Sequence, residues 1–142
     1  MSVFVDTSAL YALLVETEED HRSVLRSFEQ LLRKGRSLLT TNYVVLESVA
    51  LLQHRFGLAP IRDLVDRLLP VITVRWVTES LHRRGFARLV ARDRRQLSLV
   101  DCVSFEFMEE EGMQQALALD RDFEDEGFHT LPSNRLLKKS DN

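Results

Sequence analysis

Four acidic residues, Asp6, Glu47, Asp101 and Asp120, stand where solvation alone explains a charge poorly. Asp6 closes the apolar run Val3-Phe4-Val5, and Asp120 closes Ala116 to Leu119. Glu47 lies among Val44, Val45, Leu46, Val49, Ala50, Leu51 and Leu52, while Asp101 separates Leu99-Val100 from Cys102-Val103. An unpaired carboxylate buried in such surroundings is strongly disfavoured. Gathered into one pocket, the four would raise one another's pKa unless cations intervened. Ligand sets made only of oxygen select hard ions such as Mg²⁺ or Mn²⁺. Carboxylate-held Mg²⁺ typically also engages phosphate, so metal-assisted phosphodiester hydrolysis is the natural chemistry.

Each acid also has a plainer explanation. Asp6 can cap the helix that follows it, and Asp120 can open an ordinary turn. Ser98-x-x-Asp101 has the spacing of a capping box. Glu47 can form a distant ion pair, although no basic residue lies within one helical turn of it. The coincidence of all four favours a shared site. Other chemistries lack their residues. His21, His54, His82 and His129 share no metal-ligand spacing, and there is no HExxH motif, Cys pair or Gly-rich phosphate loop. Ser8 has no obvious His and Asp partners. A receiver-type phospho-acceptor module would need paired acids at the first strand end and a later lysine. Asp6 is single, and no lysine falls between Lys34 and Lys138.

The elements that must position these acids follow from periodicity and punctuation. Val3–Val5, Leu38–Thr41, Val71–Trp76, Ala116–Leu119 and Phe128–Leu131 read as strands. Helices are expected over Thr7–Leu14, His21–Arg33, Asn42 to about Arg55 with Asn42 as cap, and about Ala59–Leu69. Two more follow: Thr78 to about Asp93, weakened by Gly85, and Ser98–Glu111, stopped at Gly112. The helix carrying Glu47 is apolar nearly all round and is expected to be mostly buried. Alternating strands and helices predict an α/β three-layer sandwich, with a central, mostly parallel sheet of four to five strands and right-handed crossovers. Ligands of such sheets bind beyond the carboxyl ends of the strands, where Asp6 and Asp120 fall.

The 142 residues suit one domain, assigned to 1–131, with a polar tail over 132–142. With 44% hydrophobic and 29% charged residues, disorder is excluded as the default. Cys102 is single, no secretory leader is legible, and no apolar run is long enough to span a membrane, so a cytoplasmic protein is expected. The net charge of −3 argues against a protein that coats nucleic acid. Within it, Arg84, Arg88, Arg92 and Arg95 fall along one stripe of a helix over 78–95 and are candidates for tracking the phosphates of a nucleic acid. A solvated surface face is the alternative.

Four segments together resemble the signatures of the PIN domain. They are Val5-Asp6-Thr7-Ser8-Ala9-Leu10, Thr41-Asn42-Tyr43-Val44-Val45-Leu46-Glu47, Leu97 to Phe105 around Asp101, and Ala118-Leu119-Asp120-Arg121-Asp122-Phe123. The chain looks like VapC-type toxin ribonucleases and their free-standing relatives over about residues 3–131. The resemblance implies a parallel-sheet sandwich, dependence on Mg²⁺ or Mn²⁺, and endonucleolytic cleavage of single-stranded RNA. It carries metal ligation onto Asp6, Glu47, Asp101 and Asp120, with Asp122 auxiliary, and a supporting hydroxyl role onto Ser8. It also implies homodimers and, for the toxin of a type II toxin–antitoxin pair, a cognate antitoxin. A non-toxin RNA-processing nuclease and a PIN-like module that binds RNA or a partner without cutting are the alternative readings.

Overall fold

A computed structural model describes residues 1–133. Its centre is a five-stranded, all-parallel sheet in the order β3-β2-β1-β4-β5. The strands are β1 (Ser2–Val5), β2 (Ser37–Thr41), β3 (Thr73–Arg75), β4 (Gln115–Leu117) and β5 (His129–Leu131). Flanking them are α1 (Thr7–Leu14), α2 (His21–Arg33), α3 (Asn42–Phe56), α4 (Ala59–Asp63), α5 (Glu79–Arg92), α6 (Leu99–Glu110) and α7 (Asp122–Asp125). Parallel strands covered by helices must be apolar on both faces. Val3, Phe4 and Val5 in the central strand accordingly have no exposed surface.

The strand order places the site. From β1 the chain builds outward through β2 and β3, then returns to add β4 and β5 on the other side. The progression reverses between β1 and β4, whose paired registers end at Val5 and Leu117. Crevices open beyond the carboxyl ends of the strands at such a reversal. Asp6 and Asp120 follow these two strands.

The elements depart from the sequence-based expectation in several places. Thr41, not Asn42, caps α3, its hydroxyl accepting from the Val44 amide, while Asn42 Oδ1 accepts from the Val77 amide 2.7 Å away. The helix expected over Ala59–Leu69 stops at Asp63. A wider π turn (Leu64–Leu68) and a 3₁₀ turn (Leu69–Val71) follow, with Pro70 unable to donate a backbone hydrogen bond. The third strand is therefore shorter than Val71–Trp76, and the fourth begins at Gln115 and ends at Leu117.

Helix α3 is not buried all round. Val44, Ser48 and Leu52, one stripe at i, i+4 and i+8, face inward, whereas Leu46 is 70% exposed. Gly85 does not interrupt α5. A Cβ there would lie 2.4 Å from Val103 Cγ2 and 3.1 Å from the Val103 backbone, so glycine is what lets α5 close on α6. The polar tail expected from Pro132 lies, beyond Ser133, outside the described residues.

Candidate active site

Asp6 is the N-cap of α1 and is 3% exposed. Its Oδ2 accepts from the Ser8 amide at 3.2 Å and from the Ser8 hydroxyl at 2.7 Å. That hydroxyl in turn accepts from the Leu119 amide at 2.9 Å, so Ser8 ties the end of β1 to the segment after β4. Burial raises the Asp6 pKa to about 6, against the lowering effect of the Ser8 hydrogen bonds, and the Asp120 charge adds to the rise.

Asp101 lies in the first turn of α6 and does form the capping box. Ser98 N donates to Asp101 Oδ2 at 3.1 Å, and Asp101 N donates to Ser98 Oγ at 3.0 Å. This plain structural role coexists with a strained charge. Burial first, and then the charges of Asp6 and Asp120, raise the Asp101 pKa to about 7. The capping box explains where the carboxyl is held, but not why a charge should be kept in an acidic neighbourhood.

Asp120 follows β4, and its Oδ1 accepts from the Asp122 amide at 2.9 Å. Carboxylate oxygens of Asp101, Asp120 and Asp122 lie within 4.8 Å of one another. Burial and the Asp120 charge push the Asp122 pKa up, opposed by Arg94, which donates to Asp122 Oδ1 at 3.2 Å. Glu47 is half-buried rather than enclosed, and makes no ion pair among the described residues. The mostly buried helix expected around it is therefore corrected, since only one stripe of it is buried; Glu47 sits at a cleft edge.

Asp6, Glu47, Asp101 and Asp120 line one cleft of about 430 Å³, together with Thr7, Ser8, Tyr11, Glu18, Leu51, Arg55, Ser98 and Leu119. Its donors suit a hard cation: several carboxylates, no histidine or cysteine, and acids with raised pKa values that a positive ion would relieve. Thr7, also in the lining, keeps its Oγ1 sealed from solvent and without a hydrogen-bond partner among the described residues.

The arginine stripe is engaged elsewhere. Arg88 binds Glu106 and Glu126 at 2.6 Å and Glu109 at 3.0 Å, with its guanidinium 5.3 Å from the Phe105 ring centre. Arg84 binds Glu106 and Glu110, and Arg92 binds Glu126. None of these arginines lines the acidic cleft, and Arg95 is exposed outside it. The structure thus gives Arg84, Arg88 and Arg92 acidic partners within the protein rather than a free phosphate-tracking face. Sequence reasoning missed Tyr11, Glu18 and Arg55 in the cleft. Arg55 was recoverable, because it stands eight residues after Glu47 on the same helical stripe as Leu51.

An all-parallel α/β domain with an acid-lined cleft at its topological reversal defines a class of carboxylate-rich, metal-compatible proteins. The chain belongs to the PIN domain family, whose model matches residues 3–128. It is 35% identical over 127 residues to the 23S rRNA-specific endonuclease VapC20 of Mycobacterium tuberculosis, covering 89% of this chain and 95% of that protein. The crystal structure of Mycobacterium tuberculosis VapC20, a sarcin–ricin loop cleaving toxin, superposes with a TM-score of 0.76 at 34% identity, over 89% of this chain and 95% of that one. Rickettsia felis VapBC2 bound to a promoter DNA fragment matches with a TM-score of 0.70 at 10% identity, over 92% of this chain and 97% of that one, and shares the fold. Among the described residues, no helix is long and apolar enough to cross a membrane.

Proposed function

We propose that this protein is a VapC-type endoribonuclease that hydrolyses phosphodiester bonds of single-stranded RNA in the cytoplasm with Mg²⁺ or Mn²⁺, and that it is the toxin of a type II toxin–antitoxin pair. The observation that carries this reading is the convergence of Asp6, Glu47, Asp101 and Asp120 on one cleft at the β1/β4 reversal. Likeness to a 23S rRNA-specific endonuclease, whose crystal structure is described as that of a sarcin–ricin loop cleaving toxin, supports a ribosomal RNA loop as the target. Its description as a toxin supports an antitoxin partner.

Asp6 and Asp101 would hold the ion, with Asp120 completing the charge balance and Asp122 auxiliary. Once bound, the ion supplies Lewis acidity toward the phosphoryl oxygens and lowers the pKa of a water. Ser8 fixes the rotamer of Asp6, and the Ser98 capping box fixes that of Asp101, so neither carboxyl need reorganise on binding. Glu47, half-buried and without an ion-pair partner, accepts a hydrogen bond from the attacking water and orients it for in-line approach. A homodimer is supported by a largely apolar depression lined by Tyr43, Leu46, Ala50, His82, Leu99 and Val100, with Glu47 at its border with the acidic cleft and Phe86 packed on His82 beside it.

The test is incubation of purified protein with structured and unstructured RNAs in Mn²⁺, Mg²⁺ or EDTA. Cleavage that EDTA stops supports the reading. RNA binding without cleavage in either metal would replace it with a binding module, and cleavage that persists in EDTA would remove the ion from the chemistry.

A further inference from the structure

Among the described residues, the acidic cleft has one basic side chain in its lining, Arg55, and its situation differs from that of the arginines on and just after α5. Arg84, Arg88, Arg92 and Arg94 each bind a carboxylate. Arg55 binds none among the described residues. Its Nη1 donates instead to the Tyr11 hydroxyl at 2.9 Å, and its guanidinium carbon lies 5.7 Å from the centre of the Tyr11 ring. Tyr11 also packs against Phe56, with ring centres 6.3 Å apart. A neutral hydroxyl and a ring face hold the guanidinium in place without neutralising it. Its other N–H groups have no protein acceptor among the described residues.

Location gives this cation a use. Glu47, Leu51 and Arg55 recur at i, i+4 and i+8 on α3, and all three face the cleft. Tyr11 lies one turn beyond Ser8 on α1, so the pair is built from the two helices that also carry Ser8 and Glu47. Asp6, Glu18, Glu47, Asp101 and Asp120 make the cleft repulsive to a polyanion. A cation held by the inner acids relieves that repulsion only where it binds, and Glu18 remains in the lining. A planar donor fork with its full charge is the group suited to a phosphate.

We propose that Arg55, steadied by Tyr11, grips a backbone phosphate next to the one to be cut, and so is a positioning residue for single-stranded RNA. This rests on the reading of the chain as a metal-dependent ribonuclease. The cation that meets the substrate would then lie on α3, and the arginines of α5 would serve the packing of α5 on α6.

The experiment compares wild type, Arg55→Gln, Arg55→Lys and the charge-matched control Arg26→Gln, which alters an exposed residue of α2. Steady-state cleavage of a fluorescein-labelled single-stranded RNA of about twelve nucleotides is measured in Mn²⁺. Binding of the same RNA is followed by anisotropy across a salt series in Ca²⁺, with intact RNA verified on a denaturing gel. Arg55→Gln is expected to raise KM about tenfold with kcat nearly unchanged, as loss of a charge-assisted hydrogen bond would. The slope of log affinity against log salt should shrink by about 0.7, the value of one single-strand phosphate contact. Arg55→Lys should recover most of the slope, and Arg26→Gln should match wild type. If wild type cleaves but Arg55→Gln keeps its KM and slope, or Arg26→Gln loses as much, the assignment is overturned while the ribonuclease reading stands. A wild type that neither binds nor cuts RNA overturns both.

Discussion

Replacing Asp101 by Asn should stabilise the metal-free protein and abolish its response to metal. Asp101 is held at a pKa of about 7 in the fold against an ordinary 3.8. The folded state therefore binds an extra proton between these values, and stability without metal falls as pH rises from about 4 to about 7, then levels off. At about 1.4 kcal/mol per tenfold change in proton affinity, the charged form costs about 4 kcal/mol at pH 8 and about 2 kcal/mol at pH 5.5. Asn has no charge to lose, and its side-chain oxygen can still accept from the Ser98 amide. The stability gap between variant and wild type should thus widen by about 2 kcal/mol from pH 5.5 to pH 8, whatever the fixed difference between the two side chains. Removing this charge also eases Asp6, which acts in the same direction. For a domain of this length, about 2 kcal/mol corresponds to about 7 °C in Tm. Thermal melts in EDTA at the two pH values measure the gap. Repeating them in saturating Mn²⁺ should raise wild type by about 3 kcal/mol, if the ion is present at about a hundred times its Kd, and leave the variant near its EDTA value. A gap that stays constant with pH, or a variant that keeps the Mn²⁺ shift, would refute the reasoning.

Three further outcomes follow from the same geometry. Ser8→Ala removes both a donor to Asp6 and an acceptor for the Leu119 amide; because the Ser8 hydrogen bonds lower the Asp6 pKa, the pH midpoint of Mn²⁺ binding, read by titration calorimetry, should move upward. Gly85→Ala should lower stability by about 1–2 kcal/mol in denaturant melts, since overpacking against Val103 outweighs a helix-propensity gain of about 1 kcal/mol. Arg88→Ala takes from Glu126 and Glu106 a partner that each holds at 2.6 Å, leaving them Arg92 and Arg84, and a loss of about 1.5–3 kcal/mol is expected in the same assay, with cleavage per folded molecule unchanged.

The parallel sheet and the grouping of the acids were legible because each rests on local pattern. Short apolar runs that end in an acid mark strand ends, and the order of elements supplies the crossovers. The reason for singling out Glu47 was partly wrong in physical detail. It rested on a mostly buried helix, whereas that helix buries only one stripe, leaves Leu46 largely exposed and holds Glu47 half-buried at the cleft. Helical periodicity is also blind to what another element offers. Arg84, Arg88 and Arg92 form the expected stripe, but the acids that occupy them come from α6 and from Glu126, far away in sequence. Gly85 read as a weakness because propensity is local, whereas its value lies in the approach of Val103. The place of Arg55 on the Glu47 stripe was readable from spacing, but its partner Tyr11, 44 residues away, was not.

The account depends on a divalent ion seated among Asp6, Asp101 and Asp120. Anomalous diffraction from crystals soaked in Mn²⁺ tests it most directly. A peak about 2.1 Å from carboxylate oxygens of Asp6 and Asp101, lost in Asp101→Asn crystals, is the predicted result. A cleft without a peak at millimolar Mn²⁺, in protein that still cuts RNA in EDTA, would contradict it.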